Sequence, residues 1–325
     1  MKILIVYLII LNNIYITEFV TGNNLSNSNE TLSDRMKRYE HEIDGNLKIF
    51  PYESFIVKLD GRSFSKFTKK FYKPFDVVFI KAMCKTMIDL VKEFDVQTGY
   101  THSDEITLIF DSKCSKLEYN NILADDEGKT HIKNHMFNGR IQKILTLISS
   151  FCSVRFNYHL DKLIEPIADN YDELLIAVIK LHYQMFDARI LKFDENNKYE
   201  ILNHQIWRSI FDCERNAIST YAYTYFGPKK IMNKNSTEMI EMLQKKNISW
   251  TYDVPTFIKH GIYCKKILVE HQIGENKITR SDYVCKELKI NFSNDNLNML
   301  FEKYWDNCND KLDIDNLTIF IIKIQ

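Results

Sequence analysis

The pattern of hydrophobic and polar residues along the chain predicts a mixed α and β fold. β-Branched and aromatic residues at 55–60 end at an Asp-Gly pair, which indicates a strand that runs into a tight turn. Apolar residues at 76–94, just after Pro74, recur with the period of an amphipathic helix. Two short β-rich runs follow at 96–102 and 106–110, and the Ser-Asp-Glu sequence between them indicates a hairpin turn.

A second helical pattern covers residues 137–151, and residues 186–193 are a candidate fourth strand. Residues 111–135 are expected to form a loop. The order β-α-β-β-α-β is that of a ferredoxin-like fold. We therefore predict an α+β fold, an α/β sandwich with a ferredoxin-like core and additional helices. Further helical patterns lie at 172–183, 203–226 and 236–246, whereas 249–269 is expected to be extended or irregular.

The chain is expected to have three parts: a leader with a disordered join at 1–31, a folded unit at 32–269, and an acidic, weakly helical tail at 270–325. Lys2 and the apolar run after it are similar to the start of a secretory signal, but this run is too short to span a bilayer. An organelle leader, or an extension that the fold does not need, are the alternatives. We expect a cytoplasmic protein without a stable membrane partner, with secretory or organellar targeting as alternatives.

Composition and charge narrow the classes of function. The 325 residues are 45% hydrophobic, which excludes a mostly disordered protein. Lys plus Arg and Asp plus Glu each number 43, so the net charge is zero. This balance excludes tight, indiscriminate binding of nucleic acid through bulk charge. The seven cysteines form no C-x-x-C pair, so we expect reduced thiols in the core and neither a zinc ribbon nor a disulfide scaffold.

Two aspartates are the candidate chemical centre. Asp60 ends the first predicted strand, and Asp104 lies in the hairpin turn. These strands are neighbours in a β-α-β-β fold, so the two carboxylates can converge at one end of the sheet. Such ligands suit Mg²⁺, and two Mg²⁺ ions support in-line phosphoryl or nucleotidyl transfer. Glu105 is a candidate supporting acid. The alternative is that both sequences are ordinary turns.

The segment around Asp60 is strongly basic. Six basic residues and one acidic residue lie from Lys58 to Lys73, interleaved with aromatic residues. Cations pair with phosphate and aromatic rings offer a face to a base, so this segment indicates a nucleotide site. The alternative is a solvated basic loop whose aromatic residues anchor it in the core.

The residues around both aspartates resemble three successive motifs of the tRNA-His guanylyltransferase superfamily. These enzymes add nucleotides in the 3′-to-5′ direction. The resemblance lies in Leu-Asp-Gly-Arg-Ser-Phe-Ser-Lys-Phe at 59–67, Lys-Pro-Phe-Asp at 73–76 and Ser-Asp-Glu at 103–105. It covers roughly residues 32–265 and is weaker after 105.

This resemblance implies a polymerase-like palm at 32–269 that binds two Mg²⁺ ions. Asp60 and Asp104 would be the catalytic and metal-binding carboxylates, together with the carbonyl oxygen of Gly61. A nucleoside triphosphate would activate the 5′ end of a tRNA, and the 3′-hydroxyl of an incoming nucleotide would then attack. The residues expected to bind nucleotides are Lys73 and Ser103 at the first triphosphate, Phe71 near its base, Arg62, Ser63, Phe64 and Ser65 through backbone amides, and Arg140 and Lys143 at a second triphosphate.

One segment departs from the eukaryotic guanylyltransferases. They carry His-Ile-Asn-Asn-Leu-Tyr-Asn where residues 214–220 read Glu-Arg-Asn-Ala-Ile-Ser-Thr, so that Asn216 alone is retained, and we expect it to contact nucleotide. This form resembles the guanylyltransferase-like branch, the 3′-5′ RNA polymerases, which is associated with templated repair or editing of 5′-truncated tRNAs. Addition of a single G to tRNA-His is the other activity within the family. The expected partners are a tRNA 5′ end, ATP, GTP and other NTPs, and a homotetramer, since the family is commonly tetrameric.

Two functions outside tRNA processing stay open at this point. Related palms make cyclic nucleotides, so a nucleotide cyclase is the first alternative. The leader and six Asn-x-Ser/Thr sequons fit a secreted, non-enzymatic glycoprotein, which is the second. The second alternative leaves Asp60 and Asp104 unexplained.

Overall fold

A computed structural model describes residues 31, 33–34, 36–39, 47–124, 133–273, 276–305 and 310–318. Of the expected leader at 1–31, only residue 31 belongs to the described residues. The chain divides into two units, 1–46 and 47–325. In the first unit, the hydroxyl of Thr31 donates a hydrogen bond to the carboxylate of Asp34 at 2.6 Å. The second unit contains the sheet and the candidate site.

The second unit is built on an antiparallel sheet with the strand order β4-β1-β3-β2-β5-β6. The first four strands have the order of a ferredoxin-like fold, and the β-α-β-β-α-β prediction is therefore confirmed. The β5-β6 hairpin extends the sheet beside β2. The strands are β1 (Ser54–Gly61), β2 (Thr98–His102), β3 (Glu105–Phe110), β4 (Phe186–Phe193), β5 (Ile262–Ile273) and β6 (Asn276–Glu287).

Helices of the second unit lie between and after these strands. A π-helical turn, Trp207–Asp212, joins α6 directly to α7. In the described part of the second unit the α-helices are α1 (Phe64–Phe67), α2 (Val77–Glu93), α3 (Lys116–Ala124), α4 (Ile141–Ile164), α5 (Glu173–Lys180), α6 (Tyr199–Ile206), α7 (Cys213–Phe226), α8 (Pro228–Ile231), α9 (Ser236–Gln244), α10 (Thr256–His260) and α11 (Asn294–Phe301).

The sheet is covered on both faces, as an α/β sandwich requires. Alternate residues of a strand point to opposite faces. Val57 and Leu59 of β1 are buried in the core cluster that contains the apolar stripes of α2 and α4. Ile56 is buried on the other face, in the cluster that contains Ile201 and Leu202 of α6. By this alternation Asp60 belongs to the face of Ile56.

Several expected element bounds differ from the structure. The expected loop at 111–135 contains α3, and the expected helix at 137–151 begins at Ile141 and continues to Ile164. The late start has a backbone cause, because Phe137, Asn138 and Gly139 have positive φ angles, which a right-handed helix does not admit.

The C-terminal region is also more ordered than expected. The segment 249–269 was expected to be extended or irregular, which holds from Ile262 onward in β5, whereas α10 within the same segment was not expected. The expected boundary between 269 and 270 falls inside β5, and the segment that follows begins as a strand, with α11 as its helix. Hairpin pairing over twelve residues of each strand gives this region a hydrogen-bonding partner that periodicity alone does not reveal.

Six cysteines are described and all six are free thiols, five of them buried. The expectation of reduced core thiols is confirmed for these six, and Cys308 lies outside the described residues. Within the described part of the chain, no helix combines the length and the apolar composition needed to cross a membrane.

Candidate active site

The structure brings Asp60 and Asp104 to the same end of the sheet. Asp60 lies near the end of β1 and is paired with Glu105, the first residue of β3. Asp104 precedes Glu105 in the hairpin turn. The backbone N–H of Gly61 donates a hydrogen bond to the carbonyl oxygen of Asp104 at 3.0 Å, which fixes the two chain segments side by side.

The turn between β2 and β3 determines where Asp104 lies. Ser103 has a φ angle of 54°, and its hydroxyl donates a hydrogen bond to the Asp104 carboxylate at 3.1 Å. Burial raises the pKa of the Asp104 carboxyl, and the negative charge of Asp60 raises this pKa further. The two carboxylates are thus close enough to interact electrostatically.

The negative charge of Glu105 is balanced by two cationic side chains of the protein. The ammonium group of Lys58 lies 3.0 Å from one carboxylate oxygen of Glu105, and the guanidinium of Arg208 forms an ion pair with the other. Arg208 is 7% exposed and also pairs with Asp212 at 2.5 Å. Glu105 therefore anchors the sheet to the π-helical turn, a role that differs from the supporting acid expected from the sequence.

A further carboxylate lies beside Asp60. Asp187 of β4 is the register partner of Asp60, so both side chains are on the same face of the sheet. The guanidinium of Arg189 lies 3.7 Å from the Asp187 carboxylate, and both groups are exposed. The sequence analysis did not assign Asp187 to the site, and the antiparallel register of β1 and β4 is the signal that identifies it.

An open cavity of about 190 Å³ adjoins the Ser103 turn. Phe71, Lys73 and Ser103, which sequence reasoning assigned to one nucleotide, all line this cavity. Its apolar wall includes Phe79 of α2 and Ile258 of α10. The cavity thus combines a cation, a hydroxyl and an apolar surface, which suits a ligand with a charged end and a flat, weakly polar end.

Lys73 is the cation of this cavity. Its ammonium group donates a hydrogen bond to the carbonyl oxygen of Thr68 at 2.9 Å. Burial lowers the pKa of Lys73, whereas the nearby carboxylate of Asp76 acts in the opposite direction. Asp76 itself is 5% exposed and caps α2 by accepting hydrogen bonds from the N–H groups of Val78 and Phe79.

Asp60, Asp104 and the carbonyl oxygen of Gly61 offer hard oxygen ligands at one place. In the described residues, no group of three or more His, Cys, Asp or Glu side chains is arranged to hold a metal. Mg²⁺ does not need such a group, because it typically takes one or two carboxylates and completes its octahedron with water and substrate phosphates. The donor set therefore fits Mg²⁺ and does not indicate a metal bound entirely by protein side chains.

Residues 62–65 form the turn that follows β1. The N–H of Arg62 donates to the carbonyl oxygen of Met185 at 2.9 Å, so this amide is already engaged. Ser63 and Ser65 are exposed, and Ser63 has a φ angle of 60°. The Phe64 side chain is 2% exposed and packs among aromatic rings, so its contribution to a ligand could come from its backbone alone.

Arg140 and Lys143 lie at the other end of the sheet. Arg140 forms a β-bridge with Lys48, a few residues before β1 begins at Ser54. Strands rise about 3.3 Å per residue, so Ser54 and Asp60 are about 20 Å apart. The structure therefore does not bring Arg140 and Lys143 together with Asp60 within one chain.

Asn216 lies closer to the cavity, on α7. It is exposed, and its carbonyl oxygen accepts a hydrogen bond from the hydroxyl of Thr220 at 2.9 Å. Thr220 lines the cavity one helical turn further on. Sequence reasoning missed Thr220 and the neighbouring helix α10, because nothing in their local sequence links them to residues 71–103.

A ferredoxin-like sheet with paired acids at one end is the architecture of a polymerase-like palm. A profile of the tRNAHis guanylyltransferase family matches residues 33–194. An uncharacterised protein of Acanthamoeba polyphaga mimivirus is 44% identical over 280 residues, which are 86% of this chain and 91% of that protein. The tRNA(His) guanylyltransferase of Debaryomyces hansenii is 27% identical over 171 residues, 52% of each chain.

Solved structures agree with this assignment. A bacterial tRNA(His) guanylyltransferase-like protein in complex with ATP superposes with a TM-score of 0.56 at 25% identity, over 78% of this chain and 92% of that one. The tRNA(His) guanylyltransferase of Saccharomyces cerevisiae shares the fold, with a TM-score of 0.51 at 20% identity over 74% and 94%. The chain belongs to the tRNAHis guanylyltransferase family and is a nucleotidyltransferase.

Proposed function

We propose that this enzyme is a Mg²⁺-dependent 3′-5′ nucleotidyltransferase that adds nucleotides to the 5′ end of tRNA, with 5′-truncated tRNAs as its repair substrates. The observation that carries the proposal is the convergence of Asp60 and Asp104 beside the cavity that contains Lys73. The ATP complex of the bacterial relative supports ATP as the activating nucleotide. GTP and the other NTPs are the added nucleotides in this proposal, as the family resemblance of the sequence implies.

The reaction has two nucleotidyl-transfer steps. First, an oxygen of the tRNA 5′-phosphate attacks the α-phosphorus of ATP, and pyrophosphate leaves with the electron pair of the broken bond. Second, the 3′-hydroxyl oxygen of the incoming nucleotide loses its proton and attacks the activated 5′-phosphorus, and AMP leaves. Two Mg²⁺ ions, when bound, neutralise charge on the phosphates and make the attacking hydroxyl more acidic.

The residues of the chain bind and orient the reactants in this proposal. Asp60, Asp104 and the carbonyl oxygen of Gly61 hold the metal ions. Lys73 and Ser103 bind the triphosphate of the activating nucleotide, while Phe71 belongs to the apolar wall beside its base. Ser63, Phe64 and Ser65 offer backbone N–H groups, and Asn216 contacts nucleotide from α7.

Arg140 and Lys143 have a separate place in the proposal. They lie near the Ser54 end of β1, and that end is about 20 Å from Asp60 of the same chain. We therefore assign them to phosphate binding at the far end of the sheet, apart from the first triphosphate. We propose a homotetramer as the assembly. In it, the end of the sheet that carries Arg140 and Lys143 faces surfaces of other subunits.

A 5′-extension assay tests the proposal. The enzyme is incubated with a 5′-truncated tRNA, ATP, Mg²⁺ and the four NTPs, and the products are separated by length. We expect products longer at the 5′ end, which require both ATP and Mg²⁺. Absence of any extension with a panel of truncated tRNAs would contradict the proposed function.

A further inference from the structure

The segment between α4 and β4 contacts the loop that lines the nucleotide cavity. This segment comprises the 3₁₀ turn Glu165–Asn170, Tyr171, Asp172 and helix α5. We infer that Tyr171 is a positioning residue, which holds the cavity loop (residues 68–76) in the conformation that binds the nucleotide. This inference rests on the proposed function, because it concerns the same cavity.

The hydroxyl of Tyr171 meets the carboxylate of Asp76. The distances from the hydroxyl oxygen to Oδ1 and Oδ2 of Asp76 are 3.2 and 3.1 Å. Oδ2 of Asp76 also accepts the N–H of Tyr72 at 3.1 Å, and Oδ1 accepts two N–H groups of α2. Asp76 thus ties Tyr171, the start of α2 and the cavity loop together.

The hydroxyl of Tyr171 keeps the proton that this contact requires. Burial and the negative charge of Asp76 raise the pKa of Tyr171 well above its usual value, so its hydroxyl stays a donor. Asp76 is a nearly buried carboxylate, and a buried carboxylate is costly unless donors surround it. Removing the Tyr171 hydroxyl would leave one of these acceptor positions unfilled.

Two neighbouring contacts hold the same segments together. The hydroxyl of Tyr72 donates to the carbonyl oxygen of Asn170 at 2.5 Å, and the ammonium group of Lys70 lies 2.7 Å from the carboxylate of Asp172. The ring centroids of Tyr72 and Tyr171 are 5.1 Å apart. Three consecutive residues, 170–172, therefore each contact the cavity loop.

The position of Lys73 makes these contacts relevant to nucleotide binding. Lys73 lies between Tyr72 and Asp76, two of the loop residues that Tyr171 contacts, and all three line the cavity. A loop that is already ordered does not have to be ordered when the ligand binds, so a preorganised Lys73 favours affinity. Loss of the Tyr171 hydroxyl should therefore weaken nucleotide binding more than it slows the chemical steps.

The test is the affinity of the enzyme for ATP, measured by calorimetry on wild type, Tyr171→Phe and the control Tyr158→Phe. Tyr158 is 47% exposed, lies on α4 and is not part of the cavity wall, so the control removes the same atom elsewhere. We expect Tyr171→Phe to raise Kd for ATP about tenfold, the effect of one hydrogen bond to a charged group. We expect KM for ATP to rise in parallel, with kcat at saturating ATP unchanged, and Tyr158→Phe to match wild type.

The outcomes separate the inference from the proposed function. Wild type that binds no ATP would contradict the proposed function itself. Wild type that binds ATP, with the same Kd in Tyr171→Phe, would overturn the inference, as would a reduced kcat with unchanged KM. Urea titration of both variants checks that they are folded at the temperature of the binding measurement. A purely structural role of Tyr171 would lower the stability of Tyr171→Phe and leave its Kd for ATP unchanged, and this result would also overturn the inference.

Discussion

The backbone N–H of Gly61 donates a hydrogen bond to the backbone carbonyl oxygen of Asp104 over 3.0 Å. This bond joins the end of β1 to the hairpin turn, and it therefore fixes the spacing between the two acidic residues on which the proposed chemistry depends. The backbone at this point has little freedom, because the side chain of Phe64 lies against Gly61.

Gly61→Ala is predicted to destabilise the fold. A Cβ atom at Gly61 would lie 2.5 Å from ring carbons of Phe64, which is buried between Phe156 and Phe186. Overpacking of this kind costs about 1–3 kcal/mol. Urea unfolding of the variant measures the loss. In a double-mutant cycle with Phe64→Leu, the smaller side chain should recover part of the cost, and strictly additive effects would contradict the clash.

Arg208→Met is predicted to be strongly destabilising. It leaves the carboxylates of Glu105 and Asp212 without their shared buried cation, and breaking a buried ion pair costs about 3–5 kcal/mol. The matched control is Arg215→Met, since Arg215 pairs with Asp212 but is 63% exposed, and we expect it to cost less than about 1 kcal/mol. Urea unfolding measures the free energy of unfolding of both variants. Equal losses would show that Arg208 does not hold the sheet to the π-helical turn.

Stability is predicted to fall on mild acidification because His135 is held neutral. Burial lowers its pKa to about 4, and its ring nitrogen lies 2.9 Å from the carbonyl oxygen of Glu53. An unfolded histidine titrates near 6.5, so between pH 6.5 and 4 the unfolded chain binds more protons and unfolding is favoured as the pH falls.

The size of this effect can be isolated with one variant. From pH 7 to pH 5, His135 should contribute a loss of about 2 kcal/mol in the free energy of unfolding. Urea titrations at both pH values are compared for wild type and His135→Gln. The variant should lose less stability on acidification than wild type by that amount, and an identical pH dependence would mean that His135 is not the titrating group.

Lys73→Met is predicted to weaken ATP binding without unfolding the protein. The ammonium group of Lys73 belongs to the cavity wall, and a charge-assisted hydrogen bond to phosphate contributes about 1.5–3 kcal/mol. Kd for ATP should therefore rise about 10- to 100-fold. Lys69→Met removes an exposed lysine from the same segment and should bind ATP as wild type does. An unchanged Kd in Lys73→Met would remove this residue from the proposed site.

Much of the site could be predicted because it depends on local patterns. The β-branched and aromatic residues of β1 and the hairpin sequence place Asp60 and Asp104 at one end of the sheet, and the short spacing between Phe71 and Lys73 places both in one loop. The contacts of Glu105 could not be predicted in this way. Its partner Arg208 lies 103 residues further on, and it reaches Glu105 through a π-helical turn that has no periodic signal.

Arg140 and Lys143 show a different limit. Arg140 precedes α4 with an extended backbone, and Lys143 lies in the first turn of this helix. The direction in which α4 crosses the sheet decides which end they occupy, and that direction depends on the positive φ angles at 137–139 and on the bridge to Lys48. The contact between Tyr171 and Asp76 could not be predicted from local sequence either, because it joins residues 95 positions apart.

The most direct test of the central claim is the 5′-extension assay with Asp60→Asn and Asp104→Asn, each beside the control Asp295→Asn. Asp295 is exposed in the first turn of α11, outside the cavity wall and the paired acids. We predict that wild type and Asp295→Asn extend a 5′-truncated tRNA in the presence of ATP, NTPs and Mg²⁺. Both site variants should yield no extended product, although urea titration should show that they are folded. Undiminished extension by either Asp60→Asn or Asp104→Asn would contradict the account.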